Sequence, residues 1–277
     1  MLPATDLQKV LGARFGIAFD VSRKATMEGP MFAVAPAEVP STIGFSVEVV
    51  IGWRSLEATF RPGPFAGGLL KAMSQAGQQQ RSLFKGFANA AMQAGADVTF
   101  SVGNSRVDVL SDEWPEHWDS CALSLRKSNV PWGQDPVLDD QFIGEWVCRF
   151  VGMTIALLPF DSVEPPLGES EGTPVEVISK RYERSRLNRA ACIDIQGCRC
   201  VVCSFDFEQT YGAIGSGFIH VHHILPLAAL PGSTVIDPAR DLVPVCPNCH
   251  AMLHSARPPL LPQELRDRMK RGVIRNV

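Results

Sequence analysis

The chain holds 277 residues, 45% of them hydrophobic and 20% charged, with a formal net charge of −3. A chain of this length buries one large core or two modest ones, and its composition is that of a soluble globular protein. No stretch approaches the ~20 uninterrupted apolar residues of a membrane span, and the most apolar run, VCRFVGMTIALLPF, is short and carries Arg149. The opening MLPATDLQKVLGARFG lacks the apolar region of a signal peptide, so a cytoplasmic protein is expected. In that setting eight cysteines point to metal binding before disulfides. Charge is uneven: residues 176–277 carry 13 Lys/Arg against 9 Asp/Glu, and residues 1–175 carry 13 against 20. The basic footprint that nucleic-acid binding leaves is confined to the C-terminal part.

In chain order, residues 1–30 hold an amphipathic start and then a loop through KATMEGP. The stretch FSVEVVIGWRSLEATFRPG, rich in β-branched and aromatic residues, predicts strands over 45–52 and 55–61. Beyond the breaker at Pro62 and Pro64, apolar residues at three- and four-residue spacing predict one or two helices over 66–94. Strands follow at 97–102 and 105–110, joined by the turn-prone Gly103–Asn104, with another at 121–127. From Asp139 to Leu158 the pattern is again helical, with Phe142, Trp146, Phe150 and Ile155 on the apolar side. Residues 1–160 therefore form one α+β domain. No motif in it carries chemistry. Of Trp53, Trp114, Trp118, Trp132 and Trp146, one could stack on an extruded base, although core packing is the commoner role for any single tryptophan. Cys121 and Cys148, in apolar surroundings, are expected to be small buried residues.

Residues 161–175, beginning DSVEPPLGESEGTP, are acidic, rich in Pro, Gly and Ser and almost empty of large apolar side chains, as in a solvated linker. Then the composition turns. VEVISKRYERSRLNRAACIDIQG reads as a helical segment carrying Lys180, Arg181, Arg184, Arg186 and Arg189. Most such charge runs are solvated helix faces, but beside a metal cluster a phosphate-contacting helix competes on even terms.

Residues 200–254 organise the rest of the chain. Two Cys-x-x-Cys pairs, Cys200/Cys203 and Cys246/Cys249, are half-sites for tetrahedral zinc, and together they make a closed four-cysteine site of the structural kind. Cys198 competes with Cys200 as a ligand, and the spacing favours Cys200; Cys192 is expected to be buried. Five of the six histidines, His220, His222, His223, His250 and His254, lie within or beside the bracketed segment. His250 and His254 are four apart and would share one face of a helix. Packed against the strand FIHVHHI, which would turn at Pro226, that helix would bring histidines from both elements to one ion.

The run RSRLNRAACIDIQGCRCVVCSFDFEQTYGAIGSGFIHVHHILPL, followed by DPARDLVPVCPNCHAMLH, resembles the HNH endonuclease superfamily, and within it bacterial proteins of the restriction (McrA-like) type. The likeness covers roughly residues 180–270, including the trailing helix PQELRDRMKRG, and the first 160 residues have no part in it. It implies a ββα-metal nuclease domain with a structural zinc over residues 176–277. It also implies roles. His222 is a ligand of a catalytic divalent cation and His223 the general base; His250 is a second ligand, and His254 is placed to be a further ligand or a phosphate contact. The family's central Asn lies nine residues before its last histidine, and here that position holds Asp241. Asp accepts backbone hydrogen bonds as Asn does, so it can brace the loop, with an extra charge. Asn248, between the second pair of cysteines, is expected to be a turn residue of the zinc knuckle.

These roles imply hydrolysis of a phosphodiester with one divalent cation stabilising the developing charge and neutral His223 accepting a proton from water, leaving a 5′-phosphate and a 3′-hydroxyl. Arg184, Arg186 or Arg189 would clamp neighbouring phosphates. Mixed imidazole sites accept Mg, Mn, Co, Ni or Zn, so the ligands do not choose among them. DNA is the expected partner, through restriction or defence, with the N-terminal α+β domain selecting a sequence or a modified base such as 5-methylcytosine. Its excess of acidic residues argues against broad phosphate binding. Two other readings stand beside this one: an RNA-cleaving effector on the same core, and a zinc DNA-binding module without cleavage. Sequence leaves a homodimer open.

Overall fold

The computed structural model describes residues 2–111, 113–133, 135–158, 186–224, 236–256 and 258–274. The acidic stretch 161–175, the basic residues Lys180, Arg181 and Arg184, and the expected turn at Pro226 lie outside them. The chain divides into two compact units, Met1–Leu187 and Asn188–Val277. Among the described residues no helix is long and apolar enough to cross a membrane.

The first unit is a seven-stranded antiparallel sheet in the order β1-β2-β3-β4-β7-β5-β6. Its strands are β1 (Phe19–Thr26), β2 (Gly29–Pro36), β3 (Phe45–Ile51), β4 (Ser55–Pro62), β5 (Ala96–Val102), β6 (Ser105–Val107) and β7 (Cys121–Ser128). Period-two patterning sets the buried face. In β3, Phe45, Val47, Val49 and Ile51 are buried, and paired β4 contributes Leu56, Ala58 and Phe60. Helices α1 (Ala4–Phe15), α2 (Gly67–Ser74), α3 (Gln78–Gln93) and α4 (Pro136–Ala156) supply the second layer. Phe84 and Phe87 of α3 and Phe150 of α4 are fully buried. At Gly152 of α4 an added Cβ would lie 2.6 Å from the Phe87 ring, so α3 and α4 approach as closely as a missing side chain allows.

The expected α+β class holds, with three differences in the elements. The loop expected through KATMEGP is the end of β1, a tip at Met27–Glu28 and the start of β2, and the whole β1–β2 hairpin was unforeseen. In β1 only Phe19 is buried, because an edge strand needs polar side chains rather than an apolar alternation. The expected strand 105–110 ends at Val107, where Asp108 turns the chain by accepting the Leu110 N–H at 3.0 Å. The last helix starts three residues early, at Pro136, with Asp135 as its cap accepting the Val137 N–H at 2.8 Å. Trp114, Trp118 and Trp146 are core residues, and so are Cys121 and Cys148. Trp53 instead stands at the β3–β4 tip, 88% exposed.

The second unit is built from short pieces. They are α5 (Arg186–Gln196), whose first two residues precede the division, α6 (Phe207–Tyr211), a 3-10 turn (Gly212–Gly215), β8 (His220–His223), β9 (Leu242–Val245), α7 (Pro247–Leu253) and α8 (Pro262–Ile274). β8 and β9 pair antiparallel, with His222 opposite Val243 and His223 opposite Leu242. The core is two small clusters: Cys200, Val202, Ile219, Val245, Cys246, Cys249, Leu253 and Leu265 in the first, and Cys192, Ile236 and Leu242 in the second. Three of the eight in the first cluster are cysteines, so apolar burial alone supplies little of this unit's stability.

Candidate metal centres and active site

The four cysteines are positioned by two knuckles. In the first, Ser204 takes a left-handed conformation (φ 62°) and donates its N–H to the Cys200 carbonyl at 2.8 Å, while the Cys200 N–H reaches the Phe205 carbonyl at 3.0 Å. Val201 N–H bonds the Pro244 carbonyl at 3.0 Å, tying this knuckle to β9. In the second, Cys246 caps α7 and its Sγ accepts the Cys249 N–H at 3.4 Å, with Pro247 at the first helical position, where no N–H is needed. The sulfurs of Cys200, Cys203, Cys246 and Cys249 lie within 4.8 Å of one another, and those of Cys203 and Cys246 are 3.7 Å apart. A tetrahedral zinc with bonds of ~2.3 Å requires sulfur–sulfur edges of about 3.8 Å. The cluster fits that ion. Cys198 lies outside the group, half-buried, and Cys192 is buried.

Electrostatics agree with that fit. Burial opposes ionisation of Cys200, yet the N–H groups of Cys203, Cys246 and Val202 outweigh it and hold this thiol below its usual range. Burial pushes Cys203 and Cys249 up, and for Cys249 the neighbouring sulfurs of Cys246, Cys200 and Cys203 push further in the same direction. Four thiolates so close repel one another until a divalent cation neutralises them.

A second cluster shares α7 with the first. His222 projects from β8, His250 from α7, and His254 caps the C-terminus of α7 one turn on. Their ligating nitrogens lie within 4.8 Å of one another. Ring centroids are 5.4 Å apart for His222–His250, 5.0 Å for His222–His254 and 4.9 Å for His250–His254. His222 is 3% exposed, His250 half-buried and His254 exposed, so the cluster opens to solvent at one corner. Four sulfurs make a closed site, whereas three imidazoles leave coordination positions for water or substrate. The donor set and spacing fit a divalent transition metal.

His223 is not in this group. Strand alternation sends consecutive side chains to opposite sides of β8, and Val221, on the His223 side, packs with Cys192, Ile236 and Leu242. His220 is on the His222 side. Its Nδ1 lies 3.3 Å from His250 Nδ1.

Asp241 braces the loop that leads into β9. Its Oδ2 accepts the Asp237 N–H at 2.8 Å, and its carbonyl accepts the Ile224 N–H, immediately after His223, at 2.8 Å. Arg186 is half-buried at the start of α5, and exposed Arg189 donates from Nη2 to the Ile219 carbonyl at 2.8 Å. At least one arm of Arg189 thus holds the chain next to β8. Asn248 is the second residue of α7, exposed, rather than part of a turn. Sequence reasoning passed over Gln196. Its Nε2 donates to the carbonyls of Leu242 at 2.6 Å and Pro238 at 3.2 Å, fastening α5 to the start of β9. A polar residue at the end of a helix carries no signal for that role.

Residues 200–256 match the family model of the HNH endonucleases, and the C-terminal unit carries an HNH domain. The chain is also similar to a type IV methyl-directed restriction enzyme, EcoKMcrA of Escherichia coli (strain K12), with 27% identity over 139 residues. That alignment covers 50% of this chain and 46% of the relative, so the chain spans about half the length of the curated relative it matches. No solved structure matches.

Proposed function

We propose that this chain is a metal-dependent HNH endonuclease of restriction type, hydrolysing DNA phosphodiester bonds in its C-terminal domain. The observation that carries the reading is the pairing of an open three-histidine cluster with a closed four-cysteine cluster on one strand–strand–helix unit. A purely structural zinc module has no use for the second cluster.

In this reading His222, His250 and His254 hold a catalytic divalent cation, and Cys200, Cys203, Cys246 and Cys249 hold a structural zinc. The chemistry that a cation at the histidines supplies is neutralisation of the charge growing on the scissile phosphate. His223 is the general base. A ligand spends its lone pair on the metal, so the base that takes a proton from the attacking water is the histidine outside the ligand group. Asp241 and Gln196 hold the β8–β9 frame so that His222 and His223 are presented on fixed sides. Arg189, which also bonds the Ile219 carbonyl beside β8, is a phosphate contact in this reading; Arg184 and Arg186 belong to the same proposal by sequence alone.

The N-terminal unit selects the target, a sequence or a modified base. The relative's methyl-directed character supports this, as does the acidic balance of residues 1–175, which suits a restricted reading patch better than general phosphate binding. Burial removes Trp114, Trp118 and Trp146 from the stacking candidates and leaves exposed Trp53 and half-buried Trp132.

The test is a plasmid digest with purified wild type and His223→Ala, on methylated and unmethylated DNA, across Mg, Mn, Co and Ni. Cutting by wild type that disappears in the variant, with zinc retained, supports the reading. Equal cutting of both DNAs removes the modified-base version. Degradation of RNA alone converts the assignment to an RNA-cleaving effector.

A further inference from the structure

Eight residues beside the histidine cluster expose three large apolar side chains. Ile214 is 89% exposed, Tyr211 59% and Phe218 48%. This crest is a defined shape. Gly212 (φ 67°) and Gly217 (φ 70°) take left-handed conformations, and a Cβ at Gly215 would run into the Phe207 carbonyl. Ser216 Oγ donates to Glu208 Oε2 at 3.2 Å, and the Phe218 N–H bonds the Gly215 carbonyl at 3.2 Å. A segment pinned this firmly holds Ile214 in water by construction, and an apolar patch so placed marks a contact surface.

The crest leads to the metal cluster ring by ring. Tyr211 stacks on Phe207 at 5.8 Å and 25°, and Phe207 meets Phe218 edge-on at 4.7 Å. Phe218 lies 6.2 Å from His220, which lies 5.2 Å from the ligand candidate His250. Exposed Arg199 reaches the same segment, its Nη2 donating to Gln209 Oε1 of α6 at 3.2 Å, and it has no ion pair among the described residues. The acidic groups nearby are engaged: Asp206 caps α6 through the Gln209 N–H at 3.0 Å, and Glu208 accepts from Ser216. Apolar and aromatic side chains beside an exposed guanidinium suit a nucleic acid, whose bases offer flat apolar faces between phosphates.

We propose that Tyr211, Ile214 and Phe218 press into the base stack beside the scissile phosphate while Arg199 contacts the neighbouring backbone. This contact rests on the nuclease reading. It gives the HNH domain its own grip on DNA, independent of target selection by the N-terminal unit.

The test uses the full chain, zinc-loaded, and a duplex it cuts, carrying 2-aminopurine at the cut step. Binding is measured in the slow-cutting His223→Ala background, with Ile214→Ser, Tyr211→Ala or Arg199→Ala added. The expected results are a rise in 2-aminopurine fluorescence on binding, its loss in Ile214→Ser and Tyr211→Ala, and affinities lower by about tenfold, the worth of one stacked or inserted side chain. Arg199→Ala should keep the fluorescence rise and lower the slope of log affinity against log salt by about one. Ile214 is so exposed that its replacement leaves the fold intact, checked by unchanged zinc content and melting. Wild-type cutting with unchanged fluorescence and affinity in the crest variants overturns the contact alone. A crest variant that changes only the oligomeric state also overturns it, assigning the surface to a second copy. Absence of cutting by wild type on any nucleic acid overturns the nuclease reading, and the contact with it.

Discussion

His220 Nδ1 and His250 Nδ1 lie 3.3 Å apart, joining β8 to α7 by a hydrogen bond between two imidazoles. One nitrogen must donate and the other accept. With His250 Nδ1 engaged, Nε2 is the nitrogen left to bind a cation, and a donated Nδ1–H fixes that tautomer and the ring's orientation. The expected outcome for His220→Ala is a loss of about tenfold in cation affinity at the histidine cluster, measured by calorimetry on zinc-loaded protein. His220→Gln, whose amide oxygen accepts in the same way, should recover most of it. Equal affinity in all three proteins would show that His220 only fills space.

The two histidines that end β8 should separate in function. His222→Ala is expected to lose both cation binding at the second cluster and cutting. His223→Ala should bind the cation within about twofold of wild type and cut at least ~100-fold more slowly, the range for losing a general base. Calorimetry alongside a single-turnover digest distinguishes them. Loss of cation binding in both would make His223 a ligand rather than the base.

The two clusters could be foreseen because their geometry is local. Residues three apart in a knuckle and four apart on a helix are neighbours whatever the rest of the chain does, so the Cys pairs and His250/His254 follow from spacing. His222 needed only the period of a strand. What escaped depends on distant partners. Gln196 meets Leu242 across 46 residues, and nothing around it announces that. The β1 strand escaped because an edge is made of FDVSRKAT, a sequence without apolar alternation. The crest escaped because FEQTYGAIGSGF, with three glycines, has no apolar periodicity to announce a structure, while those glycines permit a pinned turn.

Removing zinc should unfold the units separately. Three of the eight residues in the main buried cluster of the C-terminal unit are cysteines of the four-sulfur group, whereas the N-terminal sheet and helices bury their own large core. A strong chelator is expected to abolish the C-terminal unit's protection in hydrogen exchange and leave that of β3, β4 and α4 unchanged. Alkylation at pH 8 should then label Cys200, Cys203, Cys246 and Cys249, all protected beforehand. Simultaneous loss of protection in both units would overturn the assignment of zinc to the C-terminal unit alone.

Cys121 gives the N-terminal unit a pH dependence of known sign. Burial pushes its thiol from 9.0 up to about 12. The folded state therefore holds this proton after the unfolded chain has lost it. Stability from this source is complete below pH 9 and declines as pH rises from 9 toward 12, by up to ~1.4 kcal/mol per unit. Urea unfolding followed at pH 7 and pH 10 should show that decline in wild type. Cys121→Ala, which cannot ionise, should be less stable at pH 7 and lose less between the two values. A steeper loss in the variant would show that other groups govern the alkaline limb.

Asp241 offers the sharpest test of the loop brace. Its Oδ2 holds the Asp237 N–H, and its own carbonyl, which no side-chain change removes, holds Ile224. If the acceptor matters and the charge does not, Asp241→Asn keeps the bond to Asp237 and should cut within a few-fold of wild type. Asp241→Ala leaves the Asp237 N–H without that partner. It should cost about 1 kcal/mol in stability and lower cutting by about tenfold, through movement of the β8 end that carries His223. Cation affinity should change little in either variant, because neither alters the ligand group. The decisive comparison is Asn against Ala in the same digest. An Asn variant as impaired as the Ala variant would mean that the carboxylate's charge has a part in the reaction, and Asp241 would then belong with His223 rather than with the frame.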